Sequence, residues 1–517
     1  MLIVIITKGY RYLQLQERFL LKLYPLASSE RSQKLSSQNH NAVFVLVEAH
    51  PTLFSLFVRF RKNAGREQNR DLYLVFIDLT KAFDSVSRDA LWQILRKFGF
   101  SVKLVNIIRS FHDGMMVRVV DTHGVSDAFP VQNGTKQGCV LAPILFNLFY
   151  AAMMTDALND NEAGVKLTYR LDGGIFNLRR LQAKTKVKDV LSSDFLYADD
   201  CCLVAHTLAD AQHVTDRFAR SASRFGLSIN VKKTEVMIQS ASVNGSHSDT
   251  VYIDNSPLST VNNFCYLGSS LSNDATIDHE ISQRISKASA SFGRLTHRLW
   301  SDRGIRLSTK VKVYQAVVIS TLLYGCETWT LYKKHLKQLD QFHMRCLRNI
   351  AHIKWQSKTP NTEMLSRCKI SGIEAIIKLR QLRWAGHVVR MDDMRLPKIV
   401  FYSQLESGDR KLGRPLLRYR DSLKANLREC NIPPEQWEAA AKDRPAWRRA
   451  CVEGVQEFEQ NRIGTLQEKR QLRKNRLING GQKQQTAATS NVHICETCGR
   501  RCLSRIGLIS HSRTHRR

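Results

Sequence analysis

Three observations predict an α+β fold. Apolar runs of strand length alternate with amphipathic helical patterns between residues 71 and 270, as in a sheet covered by helices. Apolar residues make up 43% of the 517, enough to build cores for two to four domains at about 150 residues each. From Asp278 to Trp384 the pattern becomes helical and basic, which sets a second, α-helical part behind the first.

The elements follow in order. Residues 1–65 show no coherent period, and "SSERSQKLSSQNHNA" is polar throughout. "LYLVFID" reads as a buried strand. "SVSRDALWQILRKFGF" reads as a helix with Ser87 as its N-cap and Leu91, Trp92, Ile94, Leu95 and Phe98 on the apolar side. A second helix is expected over 101–112, a strand pair over 117–131 and a helix from Leu141 through Ala157, with Pro143 in its first turn. "DFLYADDCCLVAHT" reads as a hairpin, "LADAQHVTDRFARSASRFG" as a helix and "LSINVKKTEVMIQ" as a strand. "SGDRKLGRPLLRYRD" reads as a loop or hinge, "PPEQWEAAAKDRPAWRRACVEGVQEFEQ" as one or two short helices, and 460–490 as a polar, basic linker.

Charge narrows the partners. The chain has 78 Lys and Arg against 46 Asp and Glu, a net +32, which favours polyanions and salt-sensitive binding. No stretch reaches the ~18 apolar residues of a membrane span, and the apolar opening Met1 to Thr7 is too short for a signal segment, so no membrane partner is expected. The twelve cysteines are scattered and form no disulfide framework, which fits a reducing, intracellular compartment.

The carboxylates carry the chemistry. Asp199 and Asp200 sit side by side at the tip of the predicted hairpin, and Asp78 ends another strand. Two unit charges ~4 Å apart repel by roughly 4 kcal/mol at an effective dielectric near 20, so such a pair asks for a cation. If the two strands share a sheet, the three carboxylates converge. Such a trio suits Mg²⁺, which takes oxygen ligands and leaves positions for phosphate, and two ions ~3.5–4 Å apart suit an in-line phosphoryl transfer. Taken alone, an Asp-Asp hairpin is also an ordinary turn.

The blocks "FIDLTKAFDSVSRDALW", "NGTKQGCVLAPILFNLFYAAMM", "FLYADD", "GLSINVKKTEVM" and "FCYLGSSLS" occur in that order. They resemble the palm motifs of reverse transcriptases of non-LTR (LINE-type) retrotransposons. "RISKASASFGRL", "YGCETWTL" and "LRWAGHVVRMDDMRLPK" resemble the thumb and connecting region, so that the chain looks like the C-terminal part of such an element's reading frame. The resemblance implies a right-hand polymerase palm over 66–275, a thumb-like helical region over 276–355 and a basic connecting region over 356–459, with 1–65 as incomplete fingers or flexible sequence. It implies Asp78, Asp199 and Asp200 as catalytic ligands of two Mg²⁺ ions (Mn²⁺ being possible), with the Leu79 carbonyl as a further ligand. It implies Phe83 as the bulky residue that excludes a ribose 2′-hydroxyl, against a plain core aromatic. Gln137 and Gly138 would contact nucleotide and template, and Lys233 would lie near the triphosphate as a general acid, against a merely solvated lysine. Tyr266 and Gly268 would belong to the primer-grip hairpin, against an ordinary buried turn. The family's basic finger residues have no match here, and Arg59, Arg61, Lys62 and Arg66 offer charge in their place.

The C-terminus carries a separate motif. Cys495, Cys498, His511 and His515 are spaced as a two-Cys, two-His zinc site, which predicts a ββα finger over 493–517 holding one Zn²⁺. Cys502 takes a packing role, and Ser504, Arg500, Arg501, Arg505, Arg513, Arg516 and Arg517 would face phosphate. His343, Cys346 and His352 fit no zinc spacing and read as part of a basic helix. Trp300, Tyr314, Tyr324, Trp329, Trp355 and Trp384 read mostly as core, with one or two stacking on nucleic acid.

The expected function is RNA-directed DNA polymerisation, with RNA template, DNA primer or target and dNTPs as partners, copying RNA into cDNA at a nicked target. The expected site of action is the nucleus, after a cytoplasmic ribonucleoprotein stage. A truncated, inactive remnant that binds nucleic acid is the second reading.

Overall fold

The computed structural model describes residues 57–58, 60–61, 68, 70–121, 124–135, 139–240, 250–406, 417–486, 493–502, 505–512 and 515. Strand β1 (Leu72–Ile77) is buried along its whole length because it lies inside a five-stranded sheet. Helix α1 (Arg88–Lys97) starts where Ser87 accepts from the Ala90 N–H at 3.4 Å. Helix α2 (Ala142–Ala157) carries Pro143 in its first turn and is buried on nearly every side. Strands β2 (Asp194–Tyr197) and β3 (Asp200–Ala205) form the hairpin, α3 (Leu208–Arg224) follows, and β4 (Glu235–Gln239) completes the inner sheet.

β1 lies between β4 and β3, antiparallel to both, and β2 continues the sheet beyond β3. α3 packs against α2 and against β1 and β3. Near the opposite flank an aromatic layer joins Phe57, Phe76, Phe195 and Tyr266, with Phe264 stacked on Phe76 at 3.9 Å. That layer seats a second hairpin, β5 (Asn263–Tyr266) and β6 (Ser269–Ser272), on the sheet.

The expected strand pair over 117–131 is two short ribbons, Met116–Val117 with Phe129–Pro130 and Val120–Asp121 with Gly124–Val125. A three-stranded sheet of Ser403–Leu405, Val165–Tyr169 and Lys188–Ser192 was not read from the sequence. It ties the connecting region back to the first domain.

The rest is helical. α4 (Asp278–Arg294), α5 (Lys333–Ile350) and α6 (Ile373–Val389) build a second core around Trp300, Tyr314 and Trp329, and a third core gathers around Trp437 and Trp447. Trp300, Tyr314 and Trp329 are therefore packing residues, as expected of most of that set; Tyr324 and Trp384 are half-buried. His343 and Cys346 are buried in the second core.

The expected linker over 460–490 is different. Helix α7 (Arg444–Thr486) runs 43 residues without a break. Its proline lies at the start, where it is tolerated, and Glu, Gln, Lys, Arg and Leu, all good helix formers, outweigh three glycines beyond residue 460. The hinge over 407–421 is also shorter than expected, because a helix spans Tyr419–Glu429; 407–416 lie outside the described residues. Strands β7 (His493–Ile494) and β8 (Arg501–Cys502) and helix α8 (Arg505–Ser512) complete the chain.

Candidate active site

The sheet brings the three carboxylates together. Ile77 pairs with Cys201 in the antiparallel β1–β3 register, so the next residues, Asp78 and Asp200, come opposite each other. Tyr197 pairs with Asp200, which leaves Ala198 and Asp199 as a two-residue turn. Ala198 adopts φ 54°, a left-handed conformation that costs a Cβ-bearing residue about 1–2 kcal/mol. The hairpin holds this conformation at the one place where it sets Asp199 beside Asp200.

The electrostatics agree with the geometry. The Asp200 carboxyl is pushed up to about 6, first by the loss of water around it and then by the charges of Asp199 and Asp78. Among the described residues the cation paired with the trio is Lys233, whose Nζ stands 3.9 Å from Asp78 Oδ2 and is largely exposed. A screened, exposed ion pair of this kind contributes ~0–1 kcal/mol and cannot balance three acids. Hard oxygen donors crowded at one sheet end under mutual repulsion are a donor set that fits divalent cations.

The backbone of Asp78 is fastened on one side. Its carbonyl accepts from the Asn230 N–H at 2.8 Å, and its N–H donates to Thr234 Oγ1 at 3.3 Å. The Thr80 N–H donates to the Ser228 carbonyl, with Leu79 bridged to Ile229 between these bonds. Backbone groups alternate in direction along a strand, so the Leu79 carbonyl points the other way, toward the side of β3. That is the orientation a ligand carbonyl beside Asp200 needs.

Phe83 is half-buried and stacks on Phe146 of α2, centroids 4.2 Å apart. Its carbonyl accepts from the Thr135 N–H, and the Gly134 N–H donates to the Val86 carbonyl. Gly134 adopts φ 82°, and a Cβ there would lie 2.8 Å from the Asp84 backbone, so only glycine lets loop 131–135 approach this turn. Gln137 and Gly138 lie outside the described residues, as do Arg59, Lys62 and Arg66. Arg61 does not serve as a triphosphate ligand: it is buried beneath the sheet, donating to Gln239 Oε1 at 3.2 Å and to the Ser272 carbonyl at 2.5 Å.

The β5–β6 turn places Leu267 and Gly268 at φ 47° and 75°, a conformation suited to a tight hairpin. Gly268 is exposed at the tip, but Tyr266 is buried in the aromatic layer and its hydroxyl donates to the Phe195 carbonyl. Tyr266 therefore supports the hairpin from beneath. α4 clamps the tip from outside: Arg284 donates to the Gly268 carbonyl at 2.7 Å and to Glu280, and Glu280 accepts from the Ser270 N–H.

Four positioning residues escaped the sequence reading: Thr234, the paired Glu280 and Arg284, and Arg88. Buried Arg88 donates to the carbonyls of His112, Val131, Asn133 and Gly134, fixing the loop that leads to Gln137. A faint signal existed, since a cation in the first turn of α1 opposes the helix dipole and so asks for another purpose.

At the C-terminus the side-chain ligand atoms of Cys495, Cys498, His511 and His515 lie within 4.8 Å of one another. Cys498 Sγ is 3.0 Å from His511 Nε2, and His511 Nε2 is 3.2 Å from His515 Nε2. The Cys495 thiol is held below its ordinary range chiefly by the backbone N–H groups of Cys498 and Thr497. Two thiols and two imidazoles closing on one point fit a tetrahedral ion with ~2.0–2.3 Å bonds. Cys502 stands apart from this set, half-buried. Ser504, Arg513, Arg516 and Arg517 lie outside the described residues, and the side chains of Arg501 and Arg505 are likewise not described. The side chain of Trp355 is not described either. Among the described residues no helix is long and apolar enough to cross a membrane.

Residues 19–271 match the reverse transcriptase (RNA-dependent DNA polymerase) family. The match begins well ahead of residue 66, the expected start of the palm, and takes in residues 19–65, which the sequence reading leaves unmatched. A transposon-derived protein of Caenorhabditis elegans is 28% identical over 267 residues, 48% of this chain and 92% of that protein. A Pol polyprotein from the type-1 retrotransposable element R2 of Popillia japonica is 25% identical, covering 57% of this chain and 45% of the relative. The RNA-directed DNA polymerase from mobile element jockey of Drosophila funebris is 25% identical, covering 56% and 29%. The chain thus spans less than half the length of these last two relatives. Among solved structures, apo telomerase from Candida tropicalis aligns over 86% of this chain and 61% of its own at 14% identity, with a TM-score of 0.33.

Proposed function

We propose that the chain carries a reverse transcriptase domain of the non-LTR kind and copies RNA into DNA by nucleotidyl transfer, a reading supported by its family match over residues 19–271 and by its similarity to retrotransposon polymerases. The observation that supports this most is the meeting of Asp78, Asp199 and Asp200 at one end of the sheet.

In this reading Asp78, Asp199, Asp200 and the Leu79 carbonyl hold two Mg²⁺ ions, with Mn²⁺ as a substitute. The chemistry such ions supply when bound is activation of the primer 3′-hydroxyl and stabilisation of charge on the transferring phosphate. The primer 3′-hydroxyl gives its proton to solvent and its oxygen bonds the α-phosphorus of a dNTP as the bond to pyrophosphate breaks, while Lys233 donates a proton to the departing pyrophosphate and regains one from solvent. Phe83, braced by Phe146, crowds the sugar and selects against a ribose 2′-hydroxyl. The β5–β6 tip at Gly268, held by Arg284, bears on the primer. Arg88 keeps loop 131–135 in place so that Gln137 and Gly138 reach nucleotide and template. Template RNA, a DNA primer or nicked target and dNTPs are the partners, and the site of action is the nucleus after a cytoplasmic ribonucleoprotein stage. Cys495, Cys498, His511 and His515 hold one structural Zn²⁺, and the finger positions the chain on nucleic acid.

Primer extension on an RNA template tests the reading. The wild-type chain should incorporate dNTPs in Mg²⁺, and Asp199→Asn or Asp200→Asn should abolish incorporation while leaving template binding intact. Normal extension by either variant would falsify the site assignment. Binding without incorporation by the wild-type chain would favour a nucleic-acid-binding remnant.

A further inference from the structure

Helix α7 changes character along its length. Up to Ile463 it packs: Trp447, Cys451 and Val455 are buried, and Arg462 pairs with Glu459, which itself caps the Gly372 N–H. From Thr465 to Asn475 every residue is exposed. This stretch carries Lys469, Arg470, Arg473 and Lys474 against the single acid Glu468. None of the four cations makes an ion pair with a described residue.

Such a helix is poorly supported by itself. Lys469 faces Arg473 and Arg470 faces Lys474 at i, i+4, and like charges at that spacing each cost ~0.2–0.5 kcal/mol. No tertiary packing offsets this, although packing supplies most helical stability in proteins. Only Leu466 and Leu472 are large exposed apolar residues here, and they lie some 120° apart on the wheel at ~100° per residue. There is thus no apolar stripe to enter a bilayer surface or a partner's groove. The four cations instead form two rows, 469/473 and 470/474, ~6 Å apart along the axis within each row at ~1.5 Å per residue.

We propose that residues 465–475 of α7 are a docking surface for double-stranded DNA, the helix lying in or across the major groove with one basic row toward each phosphate strand. The B-form major groove, ~12 Å wide, admits a helix with side chains on both flanks. The A-form groove of duplex RNA is too narrow and deep for this, which is why the proposal commits to DNA. Phosphates remove the i, i+4 repulsion, so docking also stabilises the helix. This rests on the nucleic-acid part of the proposed function and not on catalysis, and its readout is binding without dNTPs.

The test uses the full zinc-loaded chain and a 20-base-pair DNA duplex titrated at several salt concentrations. The variant Lys469→Gln/Arg470→Gln/Arg473→Gln/Lys474→Gln should bind about tenfold more weakly at 0.1 M salt. Its log K against log salt slope should shrink by about 2–4, the slope being ~0.9 for each phosphate that a cation neutralises. A second variant exchanging Lys for Arg and Arg for Lys at the four positions should restore both quantities. Unchanged affinity and slope in the Gln variant would overturn the proposal. So would an equal loss on duplex RNA or on anionic vesicles, which would reveal an unselective charged face. Binding is read without dNTPs or Mg²⁺, so its outcome does not depend on the polymerase reading.

Discussion

The central sheet and the C-terminal Cys/His cluster, palm and finger in the proposed reading, both gather side chains suited to cations, but they hold them by opposite means. In the palm a sheet buried on both faces, with Leu72, Leu74, Val75 and Phe76 almost fully enclosed, exists independently of the acids at its end. Those acids work against the fold, as the raised Asp200 carboxyl and the left-handed Ala198 show. The finger has strands of two residues and a helix of eight, and Ile494 and Ile509 are about half exposed. It has almost no core, so in the proposed reading a bound Zn²⁺ would supply the folding energy. In that reading the acids burden a stable scaffold, whereas the Cys and His side chains with their ion would be the scaffold.

Zinc removal is the largest test of that contrast. Chelation, or Cys495→Ser, should unfold residues 493–517, since structural zinc binding is worth about 10 kcal/mol or more in such units. Amide exchange should show the finger lost and β1, β3 and β4 still protected. Loss of palm protection in the same experiment would break the distinction.

Asp200→Asn should move the two quantities in opposite directions. Extension should fall by at least about 10³-fold, the several kcal/mol that ligand-held charge stabilisation supplies. Thermal stability of the metal-free chain should rise slightly, because a carboxylate repelled by Asp78 and Asp199 is removed. A melting temperature that fell instead would mean that the acids support the palm rather than burden it.

These two sites were also the legible ones. That Asp78, Asp199 and Asp200 converge, and that Cys495, Cys498, His511 and His515 cluster, is marked by local pattern: strand, turn, spacing. Ser87 announced its cap in the same way. What the sequence hid is contact between distant segments. The Thr234 hydroxyl reaches a residue 156 positions away, and Arg61 reaches Gln239 at 178, so no local window contains either pair. The 165–192 strands escaped because their third partner is Ser403–Leu405. Past residue 460 the polar, basic composition of α7 reads as a linker, although its residues are good helix formers.

The helical region offers a third case, a buried group that is neither ligand nor burden at neutral pH. His343 is enclosed in the second core with its Nδ1 hydrogen-bonded to the Tyr314 hydroxyl over 2.9 Å, and is pushed down to about 4 by burial. A base whose folded pKa lies below its unfolded value of ~6.5 stabilises above that value, and the contribution is lost as pH falls from 6.5 toward 4. The loss should reach about 3 kcal/mol. Denaturant titrations from pH 7 to 4 should show the helical core weakening over that window, and His343→Gln should flatten the dependence. An unchanged slope in the variant would assign the acid lability elsewhere.

The smallest effect probes how the palm tolerates its acids. Thr234 Oγ1 takes the Asp78 N–H, and Thr234 is fully buried, so Thr234→Val removes one hydrogen bond at nearly constant volume. Leaving that N–H unpaired costs ~1–3 kcal/mol. Most of this should appear at the site, because β1 itself is held by β3 and β4 on either side. The expected result is a Mg²⁺ requirement for extension raised about tenfold, the equivalent of ~1.4 kcal/mol, with dNTP affinity changed less. Thr234→Ser keeps the hydroxyl and should restore the Mg²⁺ requirement. If Val and Ser variants behave alike, the hydroxyl does not position Asp78, and the sheet alone suffices to hold the acid in place.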